Sequence, residues 1–217
     1  MSAAEGPRLT PARVEAFSDG VFSIAATLLV LDLHVPDVQT DLPAALAAQW
    51  PNFATYIVSF LTIGIIWVNH HSLFANVHHV DRMLLFLNML LLLTVSAIPF
   101  PTALLAHYVM VDGASHVAAA VYGGVMVAMS IAFTLLWRHV IRDARLLGRH
   151  LDPRRARQES ALFSVGLIGY LLGAALSFLS ASLALAVYAL IAVFYIFPWL
   201  PEADLVAPGD RHVSTVD

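Results

Sequence analysis

Six apolar segments of roughly 20 residues each dominate the 217-residue chain. They run from about Val14 to Leu33, Pro51 to Asn69, Met83 to Ala106, His116 to Trp137, Ala161 to Leu179 and Leu183 to Trp199. Such runs read as membrane-spanning helices, because a bilayer core leaves no water to satisfy exposed backbone groups. The expected fold is therefore all-α, one transmembrane domain over 1–217 with six helices and a short polar tail at 201–217. Composition closes the alternative: 59% of residues are hydrophobic and 12% charged. A soluble domain carries about 25% charged residues, so this chain cannot cover a water-facing surface. The same numbers exclude intrinsic disorder.

Local signals refine the spans. Thr10-Pro11 predicts a helix start, a capping hydroxyl before proline at the first helical position. Pro43–Gln49 reads as a short interfacial helix before Pro51 opens the second span. Pro99 and Pro101 are expected to kink the third span near its outer end. Ser180-Ala181-Ser182 is read as the link between the last two spans. The first segment is too long for a cleaved signal peptide and contains Asp19, so it is read as mature structure.

Charge orients the six-span arrangement. All basic residues other than histidine are arginine, 11 in number, and all fall on one side of the bundle. Arg8 and Arg13 precede the first span, Arg82 lies between the second and third, and Arg211 is in the tail. The remaining seven, Arg138 to Arg157, sit between the fourth and fifth. The positive-inside rule then places both termini in the cytoplasm, with a cell-membrane location. Asp32, Asp37, Asp41 and Asp112 make the outer face purely acidic. Trp50, Trp67, Trp137 and Trp199 mark the span ends as an aromatic belt. The arginine-rich loop is read first as a topology anchor on anionic headgroups. No P-loop or dinucleotide motif accompanies it, and no nucleic-acid partner is expected.

Asp19 is the most informative residue. A carboxylate at bilayer depth costs ~2.5–3.5 kcal/mol or more unless it is paired or watered. On a helical wheel, Ile24, Leu28 and Leu31 form one stripe, with Phe17 beside them. Ser18 and Asp19 point away from it. The polar pair is expected to look toward helices of its own subunit, and the stripe toward lipid, a neighbouring subunit or a pore. Asn69, His70 and His71 end the second span at the depth of Asp19 and can donate hydrogen bonds to it. Arg13 lies one and a half turns away and can supply charge. Asp32 falls at the outer end, either as a solvated acid or as part of an acidic mouth around an axis. His70/His71 and His78/His79 do not fall in a metal motif, and no metal or other cofactor is expected. The chain has no cysteine, so no disulfide or thiolate chemistry is available.

Arg13-x3-Phe17-Ser18-Asp19 resembles the first-helix signature of the transmembrane protein 175 family, endolysosomal potassium channels and their prokaryotic relatives. The segment Ala25 to Asp32, Trp67-x-Asn69-His70-His71 and Pro99-Phe100-Pro101-Thr102 extend the likeness over roughly the first half of the chain. The second half matches in span count and polarity. The resemblance implies a potassium-permeable channel, the prokaryotic six-span form, assembled as a homotetramer around the first span. It implies that Ile24, Leu28 and Leu31 form the constriction. It also implies that Arg13, Phe17, Ser18 and Asp19 hold the helices together through Trp67, Asn69, His70 and His71.

Without a TVGYG-type loop, carbonyl cages cannot select the ion. Apolar side chains gate by closing or dewetting, so selectivity for potassium over sodium is expected to be modest. Permeant potassium ions are the only small partners this requires. An alternative is a proton-coupled secondary transporter using Asp19 with His70 or His71, although no inverted repeat is evident. No nucleophile elbow or metal motif supports a membrane enzyme, and a structural scaffold is the fourth reading.

Overall fold

The structure, a computed structural model, describes residues 10–36, 41–143, 145–147 and 153–196, with the side chains of 153–159 and 162 excepted. Its regular secondary structure over these residues is all helical. The elements are α1 (Pro11–Leu28), α2 (Leu42–Ala48), α3 (Trp50–Phe74), α4 (Arg82–Ala97), α5 (Pro99–Tyr108), α6 (Ser115–Arg142), α7 (Pro153–Leu176) and α8 (Ala181–Ile196). A short 3-10 turn, Leu29–Asp32, continues α1.

Four helical stretches are long and apolar enough to cross a membrane: Pro11–Asp32, Trp50–Phe74, Arg82–Tyr108 and Ser115–Arg142. The fifth and sixth apolar segments form helices too, but over the shorter described stretches Phe163–Leu176 and Ala181–Ile196. Phe197 to Trp199, the 201–217 tail and Asp37 lie outside the described residues.

Helix boundaries follow local chemistry. Pro11 opens α1, with Thr10 extended at φ −85° and ψ 151°. The Thr10 hydroxyl, however, bonds no backbone N–H of the first turn. The proline, not the hydroxyl, marks the start. Asp41 and Asp81 are genuine caps: their carboxylates accept from Ala44 N at 3.1 Å and Leu84 N at 2.6 Å. Asp41, expected as an acid of the outer face, is thus also the cap of α2. The third apolar segment breaks at Ile98, giving α4 and α5, because Pro99 and Pro101 cannot donate the ladder hydrogen bonds. The turn between α7 and α8 comes earlier than expected, at 177–180, and Ala181 and Ser182 already belong to α8.

The arginine loop is shorter than its sequence suggests. Arg138 and Arg142 lie on α6, and Arg154, Arg155 and Arg157 fall within α7.

Helix α6 is the centre of the bundle and packs on α4, α5 and α7. Its buried positions include Ala118, Tyr122, Met126, Met129, Phe133, Leu136 and Val140, the 3–4-residue spacing of a single face. Helix α8 closes on α7, α3 and α6, while α1 lies against α3 and α4. Close approach around Tyr188 depends on glycine. A Cβ on Gly123 would collide with the Tyr188 hydroxyl and with Ala174, and one on Gly173 with the Tyr188 ring. Tyr188 is fully buried, its ring 5.0 Å from that of Tyr122. Across α3, α5 and α6, the Ser59 hydroxyl meets the Thr102 hydroxyl at 2.8 Å and the Tyr122 hydroxyl at 3.0 Å. The Thr102 hydroxyl also donates to Ile98 O, pinning the helix break from within.

Candidate pore helix and its supports

Helix α1 has two faces. Val14, Ser18, Phe22 and Ala25, followed by Leu29 in the 3-10 turn, are buried. Their 3–4-residue spacing defines one face directed at α3 and α4. Phe17, Ile24, Leu28 and Leu31 are 56%, 60%, 43% and 68% exposed. The division expected from the wheel is present. Phe17 sits with the exposed stripe rather than in the polar contacts below.

The buried face carries a directional chain of hydrogen bonds. His70 Nε2 donates to Asn88 Oδ1 at 2.8 Å, Asn88 Nδ2 donates to Ser18 Oγ at 3.0 Å, and Ser18 Oγ donates to Val14 O at 2.9 Å. This direction requires hydrogen on Nε2, because the carbonyl of Asn88 can only accept. The chain ties α3, α4 and α1 together in a site where Ser18, His70 and Asn88 are all buried. Phe22 and Phe74 flank the His70 ring at 5.4 and 4.4 Å between centroids. His70 Nδ1 remains buried without a hydrogen-bond partner among the described residues.

A second set of contacts links α1 and α3 directly. Trp67 Nε1 donates to Asp19 Oδ1 at 2.9 Å. One turn further, His71 Nδ1 lies 2.7 Å from Glu15 Oε1, within ion-pair distance when the imidazole is protonated. The Trp67 and His71 rings stack, with centroids 6.0 Å apart. Both pairs are spaced four residues apart, 15 and 19 on α1, 67 and 71 on α3. Two antiparallel helices therefore meet at two successive turns.

The structure redistributes the expected partners. Asp19 bonds Trp67, not Asn69, His70 or His71. His70 bonds Asn88, and His71 meets Glu15. Asn69 leaves the group altogether and lines a cavity on the other side of α3. Arg13 is exposed, and its guanidinium makes no ion pair among the described residues. Asn88 and Glu15 are the residues missed by sequence reasoning. Asn88 had a signal, a single amide inside the otherwise apolar run Met83–Leu93, where a polar side chain needs a partner.

Asp32 lies in the 3-10 turn and is partly buried. Its carbonyl is met by His34 Nδ1 at 2.9 Å and Asn52 Nδ2 at 3.5 Å. Among the described residues, no cluster of three or more His, Cys, Asp or Glu side chains could hold a metal.

Residues 13–99, which span α1 through the α4 break, match the family described as endosomal/lysosomal potassium channel TMEM175. A potassium channel of Streptomyces collinus is 54% identical over 191 residues, covering 87% of this chain and 93% of that protein. The chain belongs to the TMEM175 channel family. It is a family of channels and not of enzymes. The likeness extends well past the first-half motifs into α6–α8. The crystal structure of a lysosomal potassium-selective channel TMEM175 homolog from Chamaesiphon minutus superposes with a TM-score of 0.76 at 38% identity, over 86% of this chain and 96% of that one. The human endosomal/lysosomal proton channel TMEM175 is 46% identical over 101 residues, which are 42% of this chain but 20% of that protein. Kinship with TMEM175 channels makes this chain a membrane protein, in accord with its apolar helices.

Proposed function

We propose that this chain forms a potassium-permeable cation channel: a homotetramer with α1 from each subunit lining a central pore. In this reading all six apolar segments span the cell membrane and both termini are cytoplasmic. The observation that carries it is the division of α1. Its inward face is fixed by Ser18, Asp19 and Glu15 to α3 and α4, while a row of large apolar side chains is left uncovered. One subunit supplies one row, so a closed pore needs rotational symmetry.

Ile24, Leu28 and Leu31 form the constriction. Such a ring offers an ion no ligands, so passage requires wetting and partial loss of hydration. Potassium, which sheds water more readily than sodium, is favoured modestly. Asp32 contributes an acidic mouth that concentrates cations. No cofactor takes part, and the permeating ion is the only small-molecule requirement.

Purified protein in liposomes with a potassium gradient is expected to pass potassium without a counter-substrate. Folded tetramers that stay silent across voltage and pH would refute the reading. Ile24→Asn is expected to wet the constriction and lower the potassium-to-sodium permeability ratio, measured from reversal potentials. An unchanged ratio would remove Ile24 from the constriction. A proton-coupled transporter using Asp19 with His70 or His71 is less well supported, because the three residues have separate partners, Trp67, Asn88 and Glu15.

A further inference from the structure

Helices α4 and α6 meet where both carry arginine. His139 Nε2, near the end of α6, lies 3.0 and 3.2 Å from the two carboxylate oxygens of Asp81, the residue that caps α4. This contact holds the first turn of α4 level with the last turn of α6. Arg82 follows Asp81, while Arg138 and Arg142 flank His139. All three arginines are exposed, and none makes an ion pair among the described residues. The acids beside them in the chain already have partners. Asp81 accepts from His139 and from Leu84 N, and Asp143 accepts from Arg145 N at 3.0 Å.

Helix length sets the depth of these charges. Helix α6 has 28 residues, about 42 Å at 1.5 Å per residue, against a hydrocarbon core of about 30 Å. Its last turn therefore emerges among lipid headgroups, and the His139 contact keeps Arg82 at the same level.

Apolar side chains continue the same faces. On α6, Ile131 and Leu135 are exposed and precede Arg138 and Arg142 at a spacing of three and four residues, which is one stripe. On α4, the exposed Phe86 lies one turn beyond Arg82, whose guanidinium carbon stands 5.5 Å from the ring centroid. A guanidinium laid over a ring keeps its N–H edge free for an anion. Each stripe runs from cation to hydrocarbon, the complement of a phospholipid's order of groups.

We propose that the joined ends of α4 and α6 bind an anionic phospholipid. Arg82, Arg138 and Arg142 hold its headgroup, and its acyl chains lie along Phe86, Leu135 and Ile131. Guanidinium forks match phosphate oxygens two at a time. A free phosphate would leave the apolar stripes unused, and a zwitterionic headgroup would bring a cation toward three others. Because α4 also carries Asn88, which donates to Ser18 of α1, the bound lipid steadies the helix that holds α1. The binding itself does not rest on ion conduction.

Native mass spectrometry of the full chain in detergent tests the site, with dioleoyl phosphatidylglycerol and dioleoyl phosphatidylcholine as probes. The two lipids share their chains and differ in headgroup charge. The first phosphatidylglycerol is expected to bind at least about ten-fold more tightly than the first phosphatidylcholine. Arg82→Gln should weaken it about five-fold and Arg138→Gln with Arg142→Gln about 20-fold, the scale of one and two arginines on an anionic surface. Phosphatidylcholine binding should stay the same in both variants. The variants sit on different helices and are compared after gel filtration confirms folding, so either one suffices if the other does not fold. Equal affinity for the two lipids overturns the proposal, as does unchanged phosphatidylglycerol affinity in the folded variants. Displacement of the lipid by millimolar inorganic phosphate would show an anion site rather than a lipid site and overturns it too. Binding is read without current, so a silent protein that still prefers phosphatidylglycerol would count against the channel reading alone.

Discussion

Asn88 does more than its sequence surroundings advertise. Among the described residues it alone reaches both Ser18 of α1 and His70 of α3, donating to the first and accepting from the second. Asn88→Leu leaves His70 Nε2 unpaired and takes from Ser18 Oγ the bond it accepts, while its bond to Val14 O remains. The expected loss is about 1–3 kcal/mol per stranded group, read as a lowered unfolding midpoint in detergent. Asp19→Asn should behave differently. The amide carbonyl can still accept from Trp67 Nε1, so stability should stay within about 1 kcal/mol of the parent protein. A collapse of the Asn variant would show that the carboxylate charge, not its hydrogen bond, secures α1. The sequence told much here, since Ser18 and Asp19 turn inward as the wheel requires. It did not tell which partner each would find. Trp67, Asn69, His70 and His71 all occupy one stretch of α3, and a rotation of about 100° per residue turns neighbours to different sides. Asn69 and His70 are adjacent in the chain, yet one lines a cavity and the other is locked to α4.

The helices themselves were legible because their period and their breakers are local properties. Pro11, Pro43, Pro51 and the Pro99/Pro101 pair all sit where helices begin or break. The packing of α6, α7 and α8 was not legible. It rests on distant glycine–tyrosine fits that no spacing rule reveals. Gly173→Ala places a methyl group against the Tyr188 ring. Overpacking of this kind costs about 1–3 kcal/mol, and Tyr188→Leu, which shortens the obstructing side chain, should recover part of it in the double variant. Additive losses in thermal unfolding would mean that the two residues do not share one space. Helix α5 presents a different dependence. The Thr102 hydroxyl joins Ser59 to the carbonyl of Ile98, so Thr102→Val should loosen the break between α4 and α5 by about 1–3 kcal/mol.

For the whole molecule, the channel reading depends on the proposed topology, with every arginine on one side, and on the exposed stripe of α1. The absence of cysteine makes the orientation directly measurable. Asp112→Cys is expected to react with an impermeant maleimide added outside intact cells, and Asn76→Cys only after the membrane is opened. Reversed labelling would invert the proposed topology. Native mass measurement should give four chains per particle, and a monomer would leave the α1 stripe facing lipid only. Assembly is the level least visible in the sequence, since a stripe that faces lipid and one that faces its symmetry copies use the same residues.

The polar side chains that α1 sends to α3 and α4, Glu15, Ser18 and Asp19, are gathered near one end, while the far end is held by packing of Leu29 and by Asn52 Nδ2 on the Asp32 carbonyl at 3.5 Å. Leu31 lies twelve residues beyond Asp19, about 18 Å along the axis, and Ile24 about 7.5 Å. In the proposed channel, the polar end would be the fulcrum for a tilt of the helix. A tilt of about 5° about that fulcrum displaces Leu31 by roughly 1.6 Å but Ile24 by only about 0.7 Å. In the proposed pore, small tilts would therefore change the aperture at Leu31 more than twice as much as at Ile24.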